Sequence, residues 1–95
     1  MMSADNFKER VLQVVREIKK GQTMSYKEVA MRAHAFGAAR AVGTVMRNNF
    51  DKTVPCHRVI CSDGSIGQYN RGGKEKKIEI LKREGVMFMG DKVVL

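Results

Sequence analysis

The chain has no tryptophan, one proline and two cysteines in 95 residues, and the proline and both cysteines fall between positions 55 and 61. Two cysteines are too few for the disulfide framework by which small secreted domains hold together, so reduced thiols and an intracellular setting are expected. No apolar run approaches the ~18 residues of a membrane helix, and the amino terminus MMSADNFKER lacks the basic-then-apolar order of a secretory signal, so no membrane partner is expected. The length leaves no room for a second domain, and residues 1–95 are read as one. Acid is also scarce. Ten Asp plus Glu stand against eighteen Lys plus Arg, a net charge of +8, which favours a polyanionic partner. DNA or RNA comes first and an anionic membrane surface second, although solubility alone would also account for the excess. The hydrophobic fraction of 43% and charged fraction of 29% match a soluble globular chain and exclude disorder.

Between Asp5 and Lys20, Phe7, Val11, Leu12, Val14, Val15 and Ile18 recur at spacings of three and four among charged residues, which predicts an amphipathic helix ended by Gly21. In TMSYKEVAMRA, Ser25 followed three residues later by Glu28 reads as a capping box opening a short helix through Arg32 or Ala33. HAFGA breaks it. From Ala38, AARAVGTVMRNN is helical again, with Ala38, Ala39, Ala41 and Gly43 on one part and Val42, Val45 and Met46 on another. Two short helices joined by a tight glycine-bearing turn read as a helix-turn-helix. NNFDKTVPC is a loop, HRVI a short extended segment, SDGSIG a turn and QYNRGG a further loop. KEKKIEILKREG is a last helix with Ile78, Leu81 and Ile80 inward and Gly85 as its stop. VMFMGDKVVL reads as a hairpin turning at Gly90 and Asp91. The fold class is mainly α: a winged-helix-like helix-turn-helix bundle with short strands and a hairpin at the carboxy terminus.

VPCHRVIC places Cys56 between Pro55 and His57. A thiol attacks only as thiolate, so a nucleophilic cysteine needs a base, and the base needs an acid to orient it. His57 is adjacent, and Glu84 ends the last helix, where folding can return it to the loop. Side chains of adjacent residues in an extended segment point to opposite faces, so the proton would pass from Cys56 to His57 through a water. Against this stands the commoner role of a free cysteine as a small core residue, of a histidine as a donor to a backbone carbonyl, and of a helix-end glutamate as a solvated group. Two cysteines and two histidines raise zinc, but C-H-x3-C with His34 far upstream has no finger spacing, so no metal is expected and His34 reads as a turn residue.

SYKEVA, AARAVGTVMRNN, VPCHRVICSDGSIGQY and KIEILKREG, in this order and at nearly these spacings, resemble the C-terminal domain of the O6-alkylguanine-DNA alkyltransferases; the likeness runs from about residue 7 to 85. The resemblance implies that Cys56 accepts the alkyl group from a flipped-out O6-alkylguanine of double-stranded DNA, once and irreversibly, without a cofactor, in a protein acting as a monomer. It makes His57 the base, acting through water, Glu84 the acid that orients it, and Asn49 the residue that ties the loop to the histidine network. Tyr26 would donate to the guanine ring, and Arg40 would enter the base stack in place of the extruded nucleotide, against the commoner role of a phosphate contact. Ala41 and Gly43 would let the helix approach the minor groove, though they would equally suit tight packing of helix on helix. Met46 would wall the base pocket, the carbonyls of Cys56 and Val59 would accept from the guanine amino group, and Tyr69 with its loop would close the pocket. Cys61 reads as structural, with thiol pairing under oxidation as a second role.

The sequence departs from the family pattern in three places. It starts directly at the equivalent of the domain's first helix, with no preceding domain to support the active-site loop. That loop is one residue short and has Phe50 where proline is common, which leaves Asn48 and Asn49 both open for the asparagine role. The loop YNRGG is one residue long, and Asn70 or Arg71 stands in place of the serine that donates near the guanine oxygen. Two other functions are weighed beside alkyl transfer. One is a lesion-binding module without chemistry, as in the alkyltransferase-like proteins, which carry tryptophan in place of the cysteine and recruit excision repair. The other is a helix-turn-helix regulator, which would need polar readers on its second helix, where this chain has Ala and Gly with one arginine.

Overall fold

A computed structural model of the chain describes residues 6–95; Asp5, expected at the start of the first helix, lies outside them. Helix α1 spans Phe7–Arg16, with the Asn6 side chain accepting from the Glu9 N–H, and Val11, Leu12 and Val15 buried along one face. It stops four residues short of Lys20, the expected end. The Ile18 carbonyl, which a continuing helix would offer to Gln22, instead accepts from Arg58 Nη1 at 2.8 Å, and Gln22 N–H turns to Lys19 O. Gly21 then reverses the chain at φ 86°.

Strand β1 (Met24–Ser25) leads into α2 (Tyr26–Arg32). Ser25 Oγ accepts from Glu28 N at 3.0 Å, but the Glu28 carboxylate turns outward to Arg32, so only half of the capping box forms. At the other end His34 N–H bonds to Met31 O and Ala35 N–H to Ala30 O, a Schellman closure with His34 at the left-handed position (φ 60°) where glycine is usual. His34 is a turn residue, as expected. Helix α3 (Ala39–Arg47) follows and packs on α2 through Val42 and Met46, giving the helix-turn-helix.

The segment HRVI is not uniformly extended. Cys56–Arg58 forms one turn of 3-10 helix, and only Val59–Ile60 is strand β2. β2 pairs in parallel with β1, Met24 beside Val59 and Ser25 beside Ile60. Two-residue strands 35 positions apart carry no periodic pattern, so the sequence does not announce this pairing. Because successive strand residues face opposite ways, Val59 enters one core with α1, α2 and α3, while Ile60 enters a second with Ile66, Leu81, Val86 and Val93. β2 therefore joins the two cores.

Helix α4 (Gly73–Arg83) ends with Glu84 as its cap and Gly85 at φ 96°. Leu81 is buried, Ile78 is half-buried against the second core, and Lys77, not expected inside, is buried as completely as Leu81. The hairpin β3 (Phe88–Met89) and β4 (Lys92–Val93) turns at Gly90, as expected, and docks through Val93 N–H donating to Gly64 O at 2.8 Å. The fold is the mainly helical winged helix-turn-helix arrangement with short strands. Among the described residues no helix is long and apolar enough to cross a membrane.

The hairpin contact leaves no room at Gly64. A Cβ there would lie 2.6 Å from Val93 O, and φ of 90° is strained for any L side chain. Gly64→Ala is expected to cost about 2–4 kcal/mol of folding stability, measured by urea unfolding; a loss under about 1 kcal/mol would contradict this docking.

Candidate active site

Pro55 has φ −78° and ψ 68°, and Cys56 N–H reaches back to Val54 O at 2.8 Å, an inverse γ-turn for which the proline ring presets φ. Arg58 N–H then bonds to Pro55 O, which opens the 3-10 turn. The proline thus delivers Cys56 at a bend between core and surface. Its side chain is 4% exposed, yet it forms part of the wall of a cavity of about 970 Å³. That volume is at the upper end of small-molecule pockets. Tyr26, Met46, Cys61, Tyr69 and Asn70 share the wall, and Arg40, Gly43 and Arg47 of α3 stand at its margin.

Behind the cysteine, His57 Nε2 donates to Glu84 Oε2 at 2.9 Å. Arg58 grips the same carboxylate with two bonds, Nε to Oε1 at 3.0 Å and Nη2 to Oε2 at 2.9 Å. Burial pushes the Glu84 carboxyl up, but the hydrogen bonds and charges of Arg58 and His57 outweigh it and bring it down to about 2. Glu84 is therefore an acceptor at neutral pH. This fixes the hydrogen of a neutral imidazole on Nε2 and leaves Nδ1 with a lone pair. The Tyr69 ring meets the imidazole edge-on at 6.5 Å.

Of the two asparagines, Asn49 reaches the thiol: its Nδ2 donates to Cys56 Sγ at 3.1 Å, while Asn48 is the exposed cap of α3. Asn49 braces the loop through Asp51 O and N–H and makes no bond to His57; its bond at the site is to the sulfur. Tyr26 opens α2 with its hydroxyl at the cavity wall. Burial pushes the phenol up to about 12, with the Cys61 and Cys56 sulfurs adding to it, so the hydroxyl keeps its proton at neutral pH. Gly67 lies against it, where a Cβ would sit 3.1 Å from Oη.

Several expected residues are placed otherwise. Val59 is fully buried in the first core and does not line the cavity, and the Cys56 carbonyl already accepts from the Val59 N–H. Arg71 turns away to Asp51 O at 2.8 Å. Asn70 spends its Nδ2 on the carbonyls of Met46, Arg47 and Asn49, closing the end of α3. Neither side chain supplies the donor expected from a serine there. Ala41 is exposed and a Cβ on Gly43 would meet nothing within 4 Å, so helix packing does not explain these small residues. Met46 is both core and cavity wall, Arg40 is exposed, Phe50 projects into solvent, and Cys61 is half-buried with its thiol free.

The chain matches the family described as 6-O-methylguanine DNA methyltransferase, DNA binding domain, over residues 6–86. It belongs to that family. The methylated-DNA–protein-cysteine methyltransferase of Cricetulus griseus is 46% identical over 84 residues, which are 86% of this chain and 40% of that protein. Among solved structures, Mycobacterium tuberculosis OGT in complex with DNA is 41% identical with a TM-score of 0.78, covering 83% of this chain and 48% of that one. S. pombe Atl1 in complex with damaged DNA containing O6-carboxymethylguanine is 33% identical with a TM-score of 0.79, covering 93% and 83%. The chain spans less than half the length of the curated relatives it matches.

Two residues of this methyltransferase-family domain escaped the sequence reading. Arg58 stands inside the quoted motif, directly after His57, where no local spacing marks it as a partner of Glu84. Lys77 shares a helical face with Leu81 and Glu84 at spacings of four and seven, and that spacing was the available signal.

The carboxylate triad predicts acid sensitivity. Glu84 titrates near 2 in the folded chain against about 4.5 unfolded, so its stabilisation is complete above pH ~4.5 and is lost as pH falls toward 2. With the side chain 11% exposed, the loss is about 3 kcal/mol. Urea titrations from pH 7 to 2 should show it, and Glu84→Gln should be less stable at pH 7 while lacking this component; an unchanged acid limb would contradict the assignment.

Proposed function

We propose that this protein repairs DNA by moving the alkyl group of O6-alkylguanine onto Cys56, stoichiometrically and irreversibly. The observation that carries the reading is a buried sulfur on the wall of a cavity roomy enough to admit a purine, with a carboxylate-held imidazole as the next residue. His57 Nδ1 takes the thiol proton through a water, and Asn49 Nδ2 donates to the resulting sulfur anion. The sulfur attacks the alkyl carbon in line as the carbon–O6 bond breaks, and the electron pair passes to the purine. Tyr26, which holds its proton, donates to the departing ring. The product is a thioether, with no group in the site to cleave it, so each chain acts once. No metal or cofactor enters the proposal.

The exposed face of α3 is the proposed DNA surface. Ala41 and Gly43 have open space before them, which suits close approach to a minor groove, and the Arg40 guanidinium makes no ion pair among the described residues, leaving it free to fill the stack as a nucleotide swings out. The DNA complexes of the M. tuberculosis and S. pombe relatives support DNA as the partner. The proposal is of a monomer working inside the cell, where the thiol stays reduced.

A second reading is favoured by the Atl1 likeness and by the engagement of Asn70 and Arg71 elsewhere: binding of the lesion with slow transfer or none. One experiment separates the two. After incubation with a duplex carrying O6-methylguanine, the peptide bearing Cys56 should gain the mass of one methylene, and Cys56→Ala should bind the lesion without gaining mass. If the wild-type peptide stays unmodified while binding is tight and lesion-dependent, transfer is wrong and binding alone stands.

A further inference from the structure

Asn70 stands in the loop where a serine donor is expected, and the proposed reaction gives it no part. Its Nδ2 donates to Arg47 O at 2.7 Å, to Asn49 O at 2.9 Å and, more weakly, to Met46 O at 3.4 Å. Its Oδ1 is buried and meets no donor among the described residues. A buried acceptor left unmet is costly, and an alanine would carry none. The amide is therefore held in place by its nitrogen alone.

The bond to Asn49 is the one that reaches the chemistry. Asn49 is 6% exposed, and Asp51 sets the direction of its amide: the Asp51 N–H donates to Oδ1, which leaves the Nδ2 hydrogens for Asp51 O and for Cys56 Sγ at 3.1 Å. The Asn49 N–H bonds to Met46 O. Apart from the thiol, these partners lie within three residues, so they shape the loop without anchoring it to the rest of the fold. The ion pair from Arg16 to Asp51 does reach across the chain, but it is long at 3.8 Å and partly open to water, which screens it. Asn70 binds the Asn49 carbonyl from 21 residues away with a short bond. Its neighbours lean on the same ground. Arg71 Nη2 donates to Asp51 O at 2.8 Å, and the Tyr69 ring meets the His57 imidazole edge-on.

We infer that Asn70 is a positioning residue: by fixing the Asn49 main chain against the end of α3, it holds the Asn49 amide on the sulfur as the thiolate forms. This rests on the transfer reading above. When His57 takes the thiol proton through a water, the anion left on Cys56 has the Asn49 N–H as its donor, and a hydrogen bond weakens steeply once its angle is lost. Asn70 itself makes no bond to the sulfur or to His57. Its effect passes through Asn49, which sets it apart from a serine donating to the purine.

A double-mutant cycle tests this, with single-turnover transfer from an O6-methylguanine duplex followed at pH 7 and at saturating protein, so that affinity for DNA drops out. Asn49→Ala should slow transfer about 100-fold, the lower end of what one donor to a developing anion supplies. Asn70→Ala should slow it about 10-fold, within the range of coupled neighbours. In the Asn49→Ala background, Asn70→Ala should change the rate by less than about twofold, because the residue it acts through is gone. A general loosening of the loop would slow both backgrounds by the same factor. That result, or an Asn70→Ala rate equal to wild type, would overturn the inference. If urea unfolding shows that Asn70→Ala does not fold, Asn70→Ser, which keeps one hydrogen for these carbonyls, takes its place and must show the same dependence on Asn49. Absence of transfer by the wild-type chain would instead remove the functional reading, a separate failure.

Discussion

The Glu84 carboxylate is the point on which the remaining geometry depends. It sits at the carboxy-terminal end of α4, where the helix dipole disfavours an anion, and is kept there by the guanidinium of Arg58 and the imidazole of His57. Through Arg58 the same carboxylate reaches the Ile18 carbonyl and sets where α1 ends. One acid therefore joins the first helix, the cysteine turn and the last helix. Because Arg58 and His57 share Oε2, the carboxylate orients the imidazole without giving it undivided negative charge. The arrangement fixes the orientation of the ring.

That constraint meets a second one at β2. Val59 and Ile60 face opposite cores, so a shift of one residue would exchange their environments and carry the Cys56 turn with them. The strand is short, but its register is held from both sides. Pro55 completes the placement by bending the chain just before the strand. The cysteine is thereby nearly enclosed by protein and still forms one wall of the cavity. A nucleophile in that position is shielded from bulk water and open to a ligand that fills the space.

Much of this was legible in the residues, for reasons that differ by element. Helices α1 and α3 follow from apolar spacing, the start of α2 from Ser25, and the hairpin from Gly90, because each signal is local. The pairing of β1 with β2 was not legible, since two-residue strands have no period and their partners lie far apart in the chain. His57 and Glu84 were matched through the family motif, and the 2.9 Å bond between them is a tertiary fact no spacing contains. Asn70 and Arg71 were read as substitutes for a donor by position alone. The fold spends both on backbone carbonyls, since the end of α3 and the Asp51 loop would otherwise leave acceptors unmet. Lys77 was hidden by the rule that lysine lies outside, a rule broken here because the ammonium finds acceptors inside in Tyr26 Oη and the Gln68 carbonyl.

The site is asymmetric in its proton affinities, and the asymmetry assigns its sides. Glu84 is driven down to about 2 and stays ionised, so His57 beside it is held with its free nitrogen available to accept a proton. Tyr26 is driven up to about 12 and stays protonated, so it keeps a hydrogen to donate. Environments that push neighbouring titratable groups apart sort them into acid and base. The sulfur lies between the two, at a wall shared with the tyrosine and one residue from the histidine. A displacement that must remove a proton from its nucleophile and supply one to its leaving group needs this division, and a cysteine buried only for packing would need neither half of it.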